Sequence, residues 1–597
     1  MGKRRAAAWA IIVAAAVAAG FVRWPLSPVR VGQRLNDATG ASAPLIWRTP
    51  EAATFSILPW PNLRIVNAQV DDVLGANLMS APEARLDLTL AGLADGRFAP
   101  ARIFLVAPTI SIDLDGPMFA RREGPAEFPR AASALAPVTT VSLSNGVLRI
   151  ASRIRGLDTL MESVQGRIDG LTAGDPLRVG LSAVWRGTPL TLAGALADPV
   201  RAANGEPSAF NAALVSSVAN FALNGVLVGG ATPGVSGEVS ASSHSLTALW
   251  RLVGLSPPSV LAADDVAISG AIRATAVDVT LDQATVTSAG QTLQGALRVA
   301  QINRRPVISG TLDAERLTVA PLFGYPPPLT APDGSWSAKP FAITLPLGFD
   351  VDLRISVARV DLYRRELAEA AASAILKDGV LAVSLLDAAA YGGRLKGEFR
   401  LACRERSLQI EARAKLEDAD FGAALSDFSR GAPSGNGTAE FALRTAGDSP
   451  AEAIDNLRGS AALRLEQGVV AGVNLEEALR RSQRRPINVA RDMRLGGTTF
   501  DKLSLELALG KGVIHVLNGA LDAHGVSANL QGEIDLPTQT WNLRVNAAQT
   551  GPSGEESPDA AHLSFDIDGP WSQPRVRAAA PADSRPAVAA PSHDASP

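Results

Sequence analysis

Apolar and polar residues alternate at period two in stretch after stretch of this chain, and the clearest stretches form a matched pair. LKDGVLAVSLLDAAAYGGRLKGEFRL begins at Leu376, and LGKGVIHVLNGALDAHGVSANLQGEIDL begins at Leu509. Each predicts a strand, a break and a second strand. In the first copy Leu395, Gly397, Phe399 and Leu401 share one face, while Arg394, Lys396, Glu398 and Arg400 share the other. In the second, Leu530, Gly532, Ile534 and Leu536 oppose Asn529, Gln531, Glu533 and Asp535. Side chains alternate across a strand, so the pattern specifies one greasy face and one wet face. A chain that repeats such a unit is building a long surface rather than an active site.

The same texture runs through most of the sequence. Ala84, Leu86, Leu88 and Leu90 alternate with Arg85, Asp87 and Thr89, and from Val141 to about Val319 strands follow one another between Gly, Asn and Asp turns. LSNGVLRI, from Leu143 to Ile150, carries the Asn-Gly pair of a tight hairpin. A pattern of apolar, any residue, Gly, any residue, apolar recurs around Gly166, Gly194, Gly237, Gly270, Gly295, Gly310, Gly397 and Gly532. Glycine on the apolar side of a strand marks a bend or bulge, so Gly397 and Gly532 read as points where a sheet curves.

Helical spacing is rare. A short helix is expected in VGQRLNDATG (Val31 to Gly40), a second in SLTALWRLVGL behind the cap residue Ser245, and a third in SPAEAIDNL. The last has Pro450 in its first turn and Glu452 three residues after Ser449, the layout of a capping box. VNLEEALRRSQRR (Val473 to Arg485) is a fourth, basic towards its C-terminal end as the helix dipole favours. Isolated helices of this kind plug or cap a sheet.

Length and composition narrow the class. The chain has 597 residues, which is more than one core fills, so several domains or a repeat array are expected. Apolar residues make up 47% but aromatics only 5%, and the net charge of −3 with no basic patch argues against nucleic acid as a partner. A lone cysteine, Cys403, excludes an intrachain disulfide. At the N-terminus Lys3, Arg4 and Arg5 precede an uncharged run from Ala6 to Val22, with Arg23 and Trp24 beyond it. That reads as a short membrane-spanning anchor. A cleaved signal peptide is the alternative, since Ala16-Val17-Ala18 resembles a cleavage site, but the apolar run is longer than a signal core. Either reading sends the rest of the chain across a membrane.

Chemistry-bearing constellations are scarce. His244, His515, His524, His562 and His593 show no metal-ligand spacing with Cys, Asp or Glu, and no nucleophile elbow, phosphate loop or dinucleotide fingerprint occurs. Asp566 and Asp568 alternate with Phe565 and Ile567 and need only a solvated strand face. Trp60, between Pro59 and Pro61, reads first as a wedge closing the early strands and second as a membrane-interface residue. No catalytic residue, metal or cofactor is expected, and an enzyme is the least supported class.

Taken in order, these passages resemble the AsmA family of inner-membrane-anchored periplasmic proteins, related to TamB and YhdP. The matching residues are the anchor, the helix ending at Thr39-Gly40, SILPWPNLRI (Ser56 to Ile65) and ISVARVDLYRREL (Ile355 to Leu367). DGVLAV with YGGRLKGEFRL, the Leu457-Arg458-Gly459 entry, QGVVAGVNLEEALR (Gln467 to Arg480), Phe500 before LSLEL, and GPWSQPRV (Gly569 to Val576) continue the match. Two departures stand out: Ile57-Leu58 replaces the family's aromatic before Pro-Trp-Pro, and residues 117–137 match no pattern of the family.

The resemblance implies a mainly β fold: an N-terminal transmembrane helix, then a long curved β-groove sheet with a few short helices. Its expected divisions are a basic tip and anchor over 1–24, an N-terminal AsmA-like β domain over 25–116 and a linker over 117–137. A central β-repeat region over 138–345, a C-terminal AsmA-like domain over 346–576 and a disordered tail over 577–597 follow. It further implies a single-pass inner-membrane protein with its bulk in the periplasm, acting in outer-membrane biogenesis. There a trough would shield or transfer phospholipid acyl chains, with Leu395, Phe399, Leu401, Leu530, Ile534 and Leu536 as candidate groove residues. Roughly thirty strands at about 4.8 Å would give about 140 Å of groove in one unbroken sheet. Two other readings use the same alternation. It would equally fill a closed sandwich, and an envelope protein partner could be engaged by strand addition at a sheet edge, without lipid carriage.

Overall fold

The structure is a computed structural model. It describes residues 17–579 apart from 18, 40–44, 73–74, 96–98, 114–137, 153–156, 173, 230–232, 256, 258, 260, 276, 304, 327, 346–347, 364, 405–406, 426–432, 472–473, 483–495 and 552–561. Most of the expected anchor, the expected linker and the tail from 580 onward lie outside the described residues. Among the described residues no helix is long and apolar enough to cross a membrane.

The chain is mainly β: the described residues form 31 strands and a few short helices. They divide into two compact units, Met1–Ala314 with Pro321–Phe323 and Pro346–Leu353, and Glu315–Ala320 with Gly324–Leu345 and Arg354–Pro597.

In the first unit, strand Asn62–Asp72 pairs antiparallel with Ala52–Ser56, with Leu45–Trp47 and with Asn77–Leu88. Pro100–Val106 and Thr109–Asp113 then pair in parallel with Thr140–Ser152. Sheet pairing therefore joins the strands on either side of residues 114–137. From Thr140–Ser152 onward each strand is antiparallel to the next, as far as the pairing of Gln291–Ile302 with residues 305–313. Helix Pro28–Thr39 closes the beginning of this unit. Its Val31 and Leu35, one turn apart on one side, are buried with Leu63, Ile65, Leu86 and Leu88 in a single core.

In the second unit every strand from Val380–Ala390 to Arg575–Ala578 is antiparallel to the one before it. The last of these reaches Ala578, so Arg577 belongs to the sheet and not to the tail. The matched passages are hairpins, Val380–Ala390 with Gly393–Arg404 and Val513–Ala523 with Val526–Asp535. They are not adjacent: strands Ser407–Asp420, Ser434–Gly447, Arg458–Ala471 and Gly497–Gly510 lie between them.

The helices form where capping and spacing place them. Leu246–Leu252 begins after Ser245, whose side chain accepts from the Ala248 N–H at 3.2 Å. Pro450–Asp455 begins after Ser449, and the Glu452 carboxylate returns a bond to the Asp448 N–H at 2.9 Å, one residue earlier than a standard box. Leu475–Ser482 is capped by Asn474, which accepts from the Glu477 N–H at 2.9 Å.

Gly397 and Gly532 differ from the sequence reading in an informative way. Gly397 pairs with Leu385, after which the partner strand inserts an extra residue before Ala388 meets Leu395. Gly532 pairs with Val516, followed by the same kind of slip before Ala520 meets Asn529. The bulge is thus on the partner strand, and it is the bulge that bends a ladder. The glycine supplies close approach: at Gly532, with φ +123°, a Cβ would stand 2.3 Å from the Asn542 carbonyl oxygen.

Candidate functional site

Residues directly opposite in an antiparallel pair project to the same side of the sheet, so the registers can be followed from strand to strand. In the second unit one such row reads Ala372, Leu385, Gly397, Ala414, Phe441, Ala461, Leu507, Val516, Gly532, Leu543, Ile567, Val576. Every member is apolar. Eleven steps at about 4.8 Å make a path of about 50 Å measured along the row. A second row runs from Phe399 through Ala412, Leu443, Gly459, Leu509 and Ile514 to Ile534, again without a polar side chain.

Among the described residues no second sheet buries these rows. Phe399 is 38% exposed and Phe441 40%, and most of their neighbours in the rows are half-buried. A closed sandwich interdigitates the inner faces of two sheets, and such residues would then be fully enclosed. What covers the apolar face is a helix at one margin. Leu475, Ala478 and Leu479 of the helix Leu475–Ser482 pack with Leu503, Leu521 and Phe565. Next to that contact lies an open-sided cavity of about 260 Å³ lined by Leu475, Leu503, Leu505, Leu530, Val545 and Ile567 among others.

The opposite margin is held by the segment 330–345 and by aromatic contacts. Trp336 donates its indole N–H to the Leu536 carbonyl at 2.7 Å, and Trp336 and Trp541 both pack on Trp571. The Phe341 N–H donates to the Asp448 carbonyl, and the Ser337 carbonyl accepts from Ala451.

The other side of the sheet carries charge, and it balances itself. Arg544 bonds Asp566 at 2.7 Å, Arg464 meets Glu506 at 3.2 Å, and His515 faces Glu533 at 3.0 Å. The hydrogen bond from Arg544 holds the Asp566 carboxyl below its ordinary range, and Lys415 does the same for Glu417. Arg544–Asp566 and His515–Glu533 face each other across strands, Arg464–Glu506 is diagonal and Lys415–Glu417 lies along one strand; on a wet face each contributes little stability but keeps that face solvated. Cys403 is half-buried, and burial pushes its thiol up. Among the described residues no group of three or more His, Cys, Asp and Glu could hold a metal ion.

Of the residues singled out from sequence, Leu395, Phe399 and Leu401 lie on strand Gly393–Arg404, and Leu530 and Ile534 on Val526–Asp535. The register joins Phe399 and Ile534 in one row, six steps apart, and Leu530 lines the cavity. Leu536 falls just past the strand end, where its N–H still donates to the Gly512 carbonyl at 3.0 Å. The strand stops at Asp535, and Leu536 serves as backbone acceptor for Trp336. The sequence reading missed Phe441, Leu507, Leu543, Phe565 and Ile567 as members of the same face. Phe565 and Ile567 had a signal in the alternation of LSFDIDG, whereas Trp336 had none, because its partner is 200 residues away.

Two comparisons with known proteins are empty: no curated protein and no solved structure matches the chain. A third is positive. Residues 330–517 match the family model described as the AsmA family, which bears out the resemblance over the stretch that holds the segment along the margin and the first half of the rows.

Proposed function

Residues 330–517 being an AsmA family segment, we propose that the chain is a membrane-anchored protein of cell-envelope biogenesis whose apolar sheet face carries phospholipid acyl chains. The observation that carries this reading is the uninterrupted apolar row from Ala372 to Val576, whose members other than the buried Leu543 are half-buried or exposed. Exposed apolar surface of this extent marks an interaction site rather than ordinary protein exterior. Acyl chains suit it because the row offers neither hydrogen-bonding side chains nor charge, and a sliding ligand meets the same surface at each strand. Head groups would stay in water beyond the margins. Carriage of this kind needs no catalytic residue, metal or cofactor. The basic and apolar N-terminal sequence, together with the family, supports an inner-membrane position with the bulk of the chain in the periplasm.

A photo-crosslinking side chain at Phe399, compared with one at Arg400, tests the proposal. Lipid adducts at 399 and none at 400 are expected. Protein adducts at 399 without lipid would favour an assembly role through strand addition, and adducts at neither position would end lipid carriage at this strand.

A further inference from the structure

The start of the first unit gathers an exposed apolar rim by specific contacts. The Gly20 carbonyl accepts from the Ile57 N–H at 3.1 Å and from the Leu58 N–H at 2.8 Å, which ties residues 19–22 to the loop ahead of Trp60. Trp24 pairs with Phe55 on the adjoining strand Ala52–Ser56, which runs directly into the same loop. Trp60 donates its indole N–H to the Leu88 carbonyl at 3.2 Å, and Leu90 follows as the first residue of the helix Leu90–Ala94. Phe21, Trp24, Ile57, Trp60 and Leu90 are thereby brought to one end of the sheet, each 42–62% exposed. This exposure does not come from loose packing, since Leu63, Leu86 and Leu88 directly behind are fully buried.

We propose that this rim is a seat on a phospholipid bilayer, in which the first β-strands rest in the interfacial layer of the membrane. The inference rests on the anchored reading above and adds a contact to it. Three observations select a bilayer as the occupant. The uncharged run from Ala6 to Val22 leads straight into the rim, so the rim lies where that run would leave a membrane. Two of the five side chains are tryptophans, and the Trp60 N–H is already satisfied by Leu88, so its ring is the part offered outward. Arg23, between Phe21 and Trp24 in the chain, is exposed as well, where a guanidinium group meets lipid phosphates.

The test uses the full chain with Cys403→Ser and one new cysteine, Ile57→Cys, carrying a polarity-sensitive fluorophore. Val215→Cys, on an exposed position of strand Ser208–Ser216, is the control. The protein is reconstituted in phosphatidylcholine vesicles with and without doxyl-labelled lipid, and flotation is measured on the same sample. The seat predicts a blue-shifted label at 57, quenched several-fold more by the lipid-borne doxyl than the label at 215 and shielded from iodide. A label at 57 that iodide quenches as freely as at 215, in protein that floats, overturns the seat and leaves the anchor standing. A label shielded from iodide yet untouched by doxyl means that protein covers the rim, which also overturns the seat. Protein that does not float overturns seat and anchor together.

Discussion

The region around Leu63, Ile65, Leu86 and Leu88 and the row from Ala372 to Val576 begin from the same code, apolar residues at every second position of a strand. They end differently. In the first, the four residues are fully buried, because the helix Pro28–Thr39 lays Val31 and Leu35 across the sheet. In the second, the helix Leu475–Ser482 covers one margin, and Phe399 and Phe441 keep more than a third of their surface. Alternation makes a greasy face; a second layer turns that face into a core. Where the described residues supply no second layer, the face stays half-exposed.

The comparison can be broken at either end. Leu86→Ala should have the largest effect, a loss of about 2–5 kcal/mol, because a closed core leaves a cavity where the side chain was. Chemical denaturation followed on the first unit's tryptophans would show it. A loss below about 1 kcal/mol would mean that the region is not closed. Gly532→Ala should cost about 1–3 kcal/mol, from a strained backbone and a Cβ directed at the Asn542 carbonyl. Gly510→Ala, where nothing stands within 4 Å of the added carbon, should be close to neutral. Similar losses at the two sites would refute the close-approach account.

Phe441→Ala sharpens the contrast from the other side. On a half-exposed face it should cost about 1 kcal/mol or less, while lowering the yield of lipid crosslinked from a neighbouring probe at Leu507. A stability loss as large as that at Leu86 would show Phe441 to be core. The smallest effect concerns the wet face. Asp566 has its pKa depressed by Arg544, so the pair's contribution is present above the unfolded carboxylate range and is lost as pH falls through the lower folded value. The denaturation midpoint should be flat from pH 7 to about 5 and fall below about 4, and Asp566→Asn should remove a small part of that fall.

Much of this was legible in the sequence, for a physical reason. A period of two places side chains without reference to anything distant, so the faces of Gly393–Arg404 and Val526–Asp535 could be assigned residue by residue. The caps at Ser245 and Ser449 were equally local. Registers were not legible: nothing in the sequence says that Phe399 and Ile534 share a row, because that depends on each intervening pairing and bulge. Leu536 shows the limit well. The alternation continues through it, but the strand ends one residue earlier, and a tryptophan 200 positions away uses its carbonyl. Glycines were half legible, since their positions marked the bulges while the extra residue lay on the partner strand.

The central claim is that one side of the sheet is a continuous acyl-chain path and the other is not. Photo-crosslinkers at Phe441, Leu507 and Leu543, each matched with one at the next residue, Ala442, Ala508 and Arg544, test it in a single series. Lipid adducts at the first three and none at the second three are predicted. Equal labelling of both sides, or no lipid at any of the six, would contradict the account.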